Sequence, residues 1–376
     1  MLMKIGIDLL WLKPQKNGGI ESYIRNLLDG LDKYSAEEDK FILFVSKDNE
    51  ESLKKYFKSK KFEKILCNIE SNKVGKRIIW QNAHLNSLCL KNGVETLFTP
   101  VYSKPLINDK SLTYITTIHD LQALHYPEYF SKGKYYWLRF AWKRCAKTSD
   151  KIIAISEFVK RDIIEKLNIK EDKIKVIYNP IIENGELYDF NILSNKLNIK
   201  SRDYFYTVSQ LLPHKNLKTL LYTMKEIKDN EVEMPQKLII SGVGGKDKET
   251  LINLIRELDL EENVKLTGFV SNEERDSLYS NSAAFLFPSI FEGFGMPPIE
   301  AMKLGVKVIT TKCSCIPEVT EGKAYYVNDS YNAKEWVDVI KKALKDEKIV
   351  KYSFEKYSLE AVTKEYLNCF REIAGR

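Results

Sequence analysis

Two glutamates frame the loop of this sequence best suited to holding a polar ligand. In FEGFGMPPIEAM, residues 291–302, Glu292 precedes and Glu300 follows a run with two glycines and two prolines. Glycine lets another group approach the backbone closely, and Pro297 and Pro298 mark a helix start. Bare amides and a helix N-terminus together suit an anion, so the Gly293–Met296 stretch fits a diphosphate. A carboxylate can accept two hydrogen bonds from a vicinal diol. Glu300, expected in the first turn of that helix, could hold a ribose, and Glu292 a second hydroxylated group. The plain alternative is a polar loop leading into a helix.

Other candidates follow other apolar runs. Gly18 and Gly19 precede a helical pattern after the first run, and His119-Asp120 follows LTYITTI. Gln210 and Lys215 lie in QLLPHKN, where Lys215 could neutralise phosphate charge as a bond to it breaks. GVGG, Gly242 to Gly245, does not complete the G-x-G-x-x-G fingerprint of dinucleotide sites. Each of these alone reads as a turn, a structural histidine or a surface lysine. Their common position after apolar runs gives them weight, because parallel α/β sheets bind ligands beyond the carboxyl ends of their strands.

The elements that must position them alternate along the chain. Apolar runs at 4–10, 40–46, 94–100, 112–118, 150–156 and 173–179 read as buried strands, with helical patterns at 20–31 and 157–167 among them. A second series at 203–209, 236–242, 263–269, 283–289 and 305–311 alternates with helical patterns at 217–227 and 248–258. Two such series predict an α/β protein of two Rossmann-like doubly wound domains, with one cleft between them lined from both sides. The boundary falls near 179–189, giving domains at 1–183 and 184–356. The segment 357–376 reads as a C-terminal helix.

Composition is that of a globular enzyme: 44% apolar and 30% charged over 376 residues. No apolar run is long enough for a membrane helix. The start, MLMKIGIDLLWLKP, reads as a first strand rather than a signal peptide, and the expected location is the cytoplasm. The six cysteines include no C-x-x-C pair, and reduced thiols are expected. No metal site is expected: the four histidines have no metal-ligand spacing from a cysteine, and no D-x-D is present to bridge a diphosphate through a metal. The net charge of +7 is concentrated in residues 1–185. A basic half can meet an anionic partner, or it can be an ordinary lysine-rich surface. Nucleic acid is a poor fit, because the aromatics show no RNA-reading pattern and the second half is acidic.

Taken together, the sequence resembles the retaining glycosyltransferases of family 4, the group 1 transferases of GT-B fold. The resemblance rests on E-x7-E in FEGFGMPPIEAMKLGVKVITT, on NVKLTGFVSNEERDSLYSNSAAFLFPS upstream, and on NGGI, IHDL and AISEF in the first half. It implies a ribose-binding Glu300, a Glu292 that holds the donor sugar, and backbone N–H donors at Phe294, Gly295 and Met296. It further implies Gly19 near the diphosphate, His119 against the transferred sugar, Lys215 on the phosphate, and Val270 and Ser289 near the nucleoside. The last helix, near 357–372, would cross back to the first domain. The family usually has Gly-Arg where this chain has Ser209-Gln210, leaving one cation for the leaving diphosphate unless His214 or another residue assists.

The implied reaction needs no cofactor beyond a GDP-, dTDP- or UDP-linked sugar. It retains anomeric configuration, and a leaving-group phosphate oxygen takes the acceptor's proton. Similarity to bacterial surface-polysaccharide enzymes points to mannose or rhamnose, moved to a glycan or lipid-linked glycan acceptor. The segment 132–147, aromatic and basic, could touch an anionic membrane at the inner face of the plasma membrane. The favoured alternative there is a helix whose Trp137 and Phe140 face the core. Two other readings remain: a GT-B sugar-nucleotide epimerase or glucan synthase, and an inactive scaffold in a glycan-assembly complex.

Overall fold

The computed structural model describes residues 3–182, 185, 187–244, 248–348 and 350–374. Gly245, and Glu183, Asn184 and Glu186 of the linker, lie outside the described residues. The chain divides into two compact units, Met1–Ile182 with Glu355–Arg376, and Glu183–Phe354.

The first unit is built on a parallel sheet of β1 (Lys4–Asp8), β2 (Lys40–Ser46), β3 (Phe62–Cys67), β4 (Thr96–Thr99), β5 (Thr113–Ile118), β6 (Lys151–Ala154) and β7 (Ile174–Val176). Their order is β3-β2-β1-β4-β5-β6-β7. The second unit holds β8 (Phe205–Val208), β9 (Leu238–Ser241), β10 (Val264–Gly268), β11 (Ala284–Phe287), β12 (Val308–Thr311) and β13 (Tyr325–Val327), ordered β10-β9-β8-β11-β12-β13. Both sheets reverse direction of growth beside their first strand, at β1/β4 and β8/β11. Such a switch point opens a crevice at the carboxyl ends of the strands.

The inner strands are apolar because both faces are covered. From Phe41 to Ser46 every residue of β2 is buried, as are all four residues of β11. Two strands escape the sequence pattern, and both are edges. In β3 only Phe62 and Cys67 are buried, while Glu63 and Lys64 point to solvent. β13 has three residues. Edge strands are often short or charged, which blunts pairing with other chains and erases the apolar run.

The helix Leu359–Ala374 belongs to the first unit. The chain re-enters beside its exit, where the Ile181 amide donates to the Tyr357 carbonyl at 2.8 Å. This last helix packs on the helix Gly19–Tyr34, burying Val362, Tyr366, Leu367 and Phe370 with Tyr23, Ile24 and Leu27. The approach is close: a Cβ on Gly30 would lie 2.0 Å from Thr363 Oγ1. Across the same contact the Tyr23 and Tyr366 hydroxyls meet at 2.6 Å.

Candidate functional site

In the second unit, two loops leave the switch point and are tied to one another. The loop after β8 ends in a 3-10 turn, Pro213–Lys215. The loop after β11 pins that turn: the Ile290 amide and the Ser289 hydroxyl donate to the His214 carbonyl, at 2.8 and 3.2 Å. Ser289 is fully buried, and its own carbonyl accepts from Thr311 Oγ1 at 2.6 Å. Its side chain is therefore a latch between loops.

The latch brings Lys215 Nζ to 2.6 Å from Glu292 Oε1. Glu292 is held independently by its backbone. Its amide donates to Ser314 Oγ at 2.9 Å, and Cys315 Sγ donates to its carbonyl at 3.1 Å. A cation and a carboxylate thus stand fixed at the mouth of the crevice, with side chains 20% and 12% exposed. Burial, with Lys215 beside it, drives His214 down to about 4. A neutral imidazole cannot supply the second positive charge absent at Gln210, whose side chain is exposed.

Next comes Phe294, buried, and then Gly295 at φ 80, the N-cap of the helix Met296–Lys303. Only glycine adopts that φ freely. Pro297 and Pro298 do occupy the helix start, but they also remove two of its four free N-terminal donors, leaving the amides of Gly295 and Met296. Glu300 is the fifth residue of this helix, one turn deeper than its first turn. Its carboxylate accepts from the Tyr279 hydroxyl at 3.3 Å and lies 3.7 Å from Arg275 Nε. Burial raises Glu300, and the Arg275 guanidinium opposes that rise. Arg275 in turn pairs with Asp276 Oδ1 at 2.9 Å.

The remaining predicted residues of this unit lie on neighbouring loops. Gly242, at φ 85, donates to the Gly268 carbonyl at 2.7 Å. A Cβ there would stand 2.9 Å from the Ser209 carbonyl oxygen, so the loops after β8 and β9 touch backbone to backbone. Val270 is half-buried, next to Phe269, whose ring is 73% exposed. Sequence reasoning missed Arg275 and Tyr279. Both sit on the helix Asn272–Asn281, begun by a capping box of Ser271 and Glu274, and that box was the only readable sign of where they would be placed.

The first unit holds a separate set. Gly18 (φ 52) caps the helix Gly19–Tyr34 with both glycines exposed. Glu21 in its first turn is balanced by Arg25 at 2.8 Å. His119, after β5, is buried and driven down to about 4 by burial. Its Nε2 lies 2.8 Å from the Pro100 carbonyl, which can only accept, so Nε2 carries the proton and Nδ1 is left as an acceptor. Tyr23 packs edge-on against the ring, with centroids 4.9 Å apart. A neutral histidine with a fixed acceptor suits a hydroxyl group better than a phosphate.

The helix Lys132–Thr148 corrects one expectation. Leu138, Ala141, Trp142 and Cys145 form its buried face, whereas Trp137 and Phe140 are 41% and 51% exposed. The pair therefore does not face the core. No helix among the described residues is long and apolar enough to cross a membrane, and none of the described residues form a metal-binding cluster.

Known proteins share this organisation. The family model of glycosyl transferases group 1 matches residues 189–358, and that of glycosyltransferase family 4 matches residues 17–183. The O-antigen chain mannosyltransferase RfbU of Salmonella typhimurium is 32% identical over 244 residues, 65% of this chain and 63% of that protein. The O-antigen chain mannosyltransferase B of Escherichia coli is 28% identical over 219 residues, 57% of each. The matched region thus spans less than two thirds of the length of these relatives. Among solved structures, a sucrose-phosphate synthase from Thermosynechococcus elongatus superposes with a TM-score of 0.77 at 16% identity, covering 99% of both chains. Anabaena HepE, solved in complex with UDP-glucose, gives 0.69 at 19% identity over 99% of this chain and 98% of that one. The chain belongs to the family 4, group 1 glycosyltransferases and has their two-domain GT-B fold.

Proposed function

We propose that this protein is a metal-independent, retaining hexosyltransferase that moves mannose or rhamnose from a nucleotide-sugar to a hydroxyl of a glycan or lipid-linked glycan. The observation that carries this reading is the Lys215–Glu292 pair at the β8/β11 switch point, with Glu300 one helix away. Lys215 neutralises the leaving diphosphate, joined by the Met296 amide and the positive end of its helix. Glu292 accepts hydroxyls of the donor sugar, and Glu300 accepts the ribose diol. His119 offers Nδ1 to the transferred sugar. The acceptor hydroxyl attacks the anomeric carbon on the face the diphosphate leaves, and a phosphate oxygen takes its proton. The curated relatives named as mannosyltransferases support mannose, and the UDP-glucose complex of HepE supports a nucleotide-sugar ligand. The exposed Trp137 and Phe140 on a basic helix support contact with an anionic membrane surface.

The test is thermal shift with a panel of GDP-, dTDP- and UDP-linked hexoses at millimolar concentration. One donor should stabilise the wild-type chain, and Glu300→Ala should lose that shift while keeping its fold. A panel that stabilises nothing, or an unchanged shift in Glu300→Ala, would overturn the donor assignment.

A further inference from the structure

The first unit contains a cavity that the donor chemistry does not use. It measures about 110 Å³ and is bounded by the helices Val74–Lys91 and Lys132–Thr148 and the loop after β4. An engineered cavity of about 150 Å³ holds benzene, so this space, open at its mouth, has room for one phosphoryl group inside and a second towards the rim. Three cations line it, Arg77, Lys104 and Arg144, and no carboxylate does. Arg77 is nine-tenths buried, and its Nε has no hydrogen-bond partner. Buried guanidinium nitrogens are ordinarily paired, so an orphaned Nε on an arginine that lines the cavity marks a side chain short of acceptors. Its main compensation is the field of Asp8, with smaller contributions from Tyr102 and Asp48; Asp8 lies behind the wall and accepts instead from the Leu10 amide and Gln81.

The rim has a different character. Trp137 and Val74 line the mouth and are 41% and 42% exposed. Lys104, deeper in, is nine-tenths buried over the Tyr114 ring and spends one of its three donors on Asn108. Charge at the bottom and apolar surface at the lip fit a phosphate group carried on a larger, partly apolar molecule.

We propose that this cavity is an acceptor subsite that binds a phosphate or diphosphate group of the molecule being glycosylated, with Arg77, Lys104 and Arg144 as its ligands. The inference rests on the glycosyltransferase reading and names the class of acceptor. The phosphate can come from a lipid-linked saccharide or from a soluble sugar phosphate, and the experiment separates the two.

Inorganic pyrophosphate is titrated calorimetrically into the full chain carrying Lys215→Ala, which removes the donor-side cation. A site should remain, weakened about tenfold or more by Arg144→Gln, the loss expected for one charge-assisted hydrogen bond. Arg77→Met should weaken it likewise. Arg139→Gln removes the same charge from the same helix outside the cavity and should leave the site intact. Equal loss in Arg139→Gln and Arg144→Gln would mean diffuse attraction and would overturn the proposal, as would no pyrophosphate binding at all. Neutral vesicles containing a polyprenyl diphosphate form the second arm. Capture that pyrophosphate competes away assigns the lipid-borne source. Pyrophosphate binding without vesicle capture assigns the soluble one. Nucleotide-sugar thermal shift, run on Arg144→Gln, should match wild type. A failed donor panel with the Arg144-dependent site intact would sink the activity and leave the anion site standing.

Discussion

Lys215 and Glu292 offer the most direct test of the donor site, through a double-mutant cycle of Lys215→Met, Glu292→Gln and their combination. The pair is 2.6 Å apart with side chains 20% and 12% exposed. Exposed pairs contribute about 0–1 kcal/mol, whereas breaking a fully buried pair costs about 3–5 kcal/mol. This pair lies between those limits, so a coupling of about 1–2 kcal/mol is expected in urea unfolding. Lys215→Met should be the costlier single change, because it strands a carboxylate whose backbone stays pinned by Ser314 and Cys315. Glu292→Gln frees a more exposed lysine to reach water. Turnover should separate from stability. Removing the charge opposite the leaving diphosphate costs about 2–4 kcal/mol in the transition state, or roughly 30- to 1000-fold in rate. The readout is release of nucleoside diphosphate from the donor that binds. Stability losses that add within about 0.5 kcal/mol, together with normal turnover in Lys215→Met, would refute the reasoning.

Two further outcomes follow from the first unit. His119 is held down to about 4 against an ordinary 6.5, so between those values the unfolded chain binds more protons than the folded one. Its contribution to stability should therefore be lost as pH falls from about 6.5 towards 4. Asp8, pushed up to about 6 by burial, acts in the opposite direction between 3.8 and 6. The comparison is therefore made between wild type and His119→Gln, whose amide can still donate to Pro100: the variant should have the shallower stability loss on acidification in urea unfolding, and equal slopes would contradict the geometry. Gly30→Ala should destabilise the chain by about 1–3 kcal/mol through overpacking against Thr363, and Thr363→Ala in the same chain should recover part of the loss. A Gly30→Ala chain as stable as wild type in the same measurement would show that the two helices part easily.

How much of this was legible in the sequence depended on how local each cause was. The inner strands read correctly because burial on both faces leaves a continuous apolar run, as in β2. β3 and β13 did not, because an edge strand exposes one side and takes charges there. The type of Glu292 and Glu300 and the prolines between them were visible, since a loop and a helix start are local. The depth of Glu300 in its helix was not, because it depends on where the chain first turns. Lys215 and Glu292 are 77 positions apart, and only the loop latch at Ser289 brings them together. Trp137 and Phe140 misled because aromatics are usually buried. Which side of that helix is covered was decided by Leu138, Ala141, Trp142 and Cys145, a face chosen by tertiary packing. Arg77, Lys104 and Arg144 come from three separate segments, and no spacing links them.

The last helix also sets an order of events during synthesis. Tyr366 props Tyr23, and Tyr23 props His119, but Tyr366 is made only after the whole of the second unit. At about 5–20 residues per second, the first unit waits roughly 10–40 s for the piece that closes its core. By the end of that interval the second unit has every strand it needs, while Tyr23 still lacks the Tyr366 hydroxyl that props it beside His119. A nascent chain can thus complete its second unit before its first is finished, and a ribosome that stalls near the end leaves a product with an open apolar groove along Tyr23, Ile24 and Leu27 for chaperones and proteases to find.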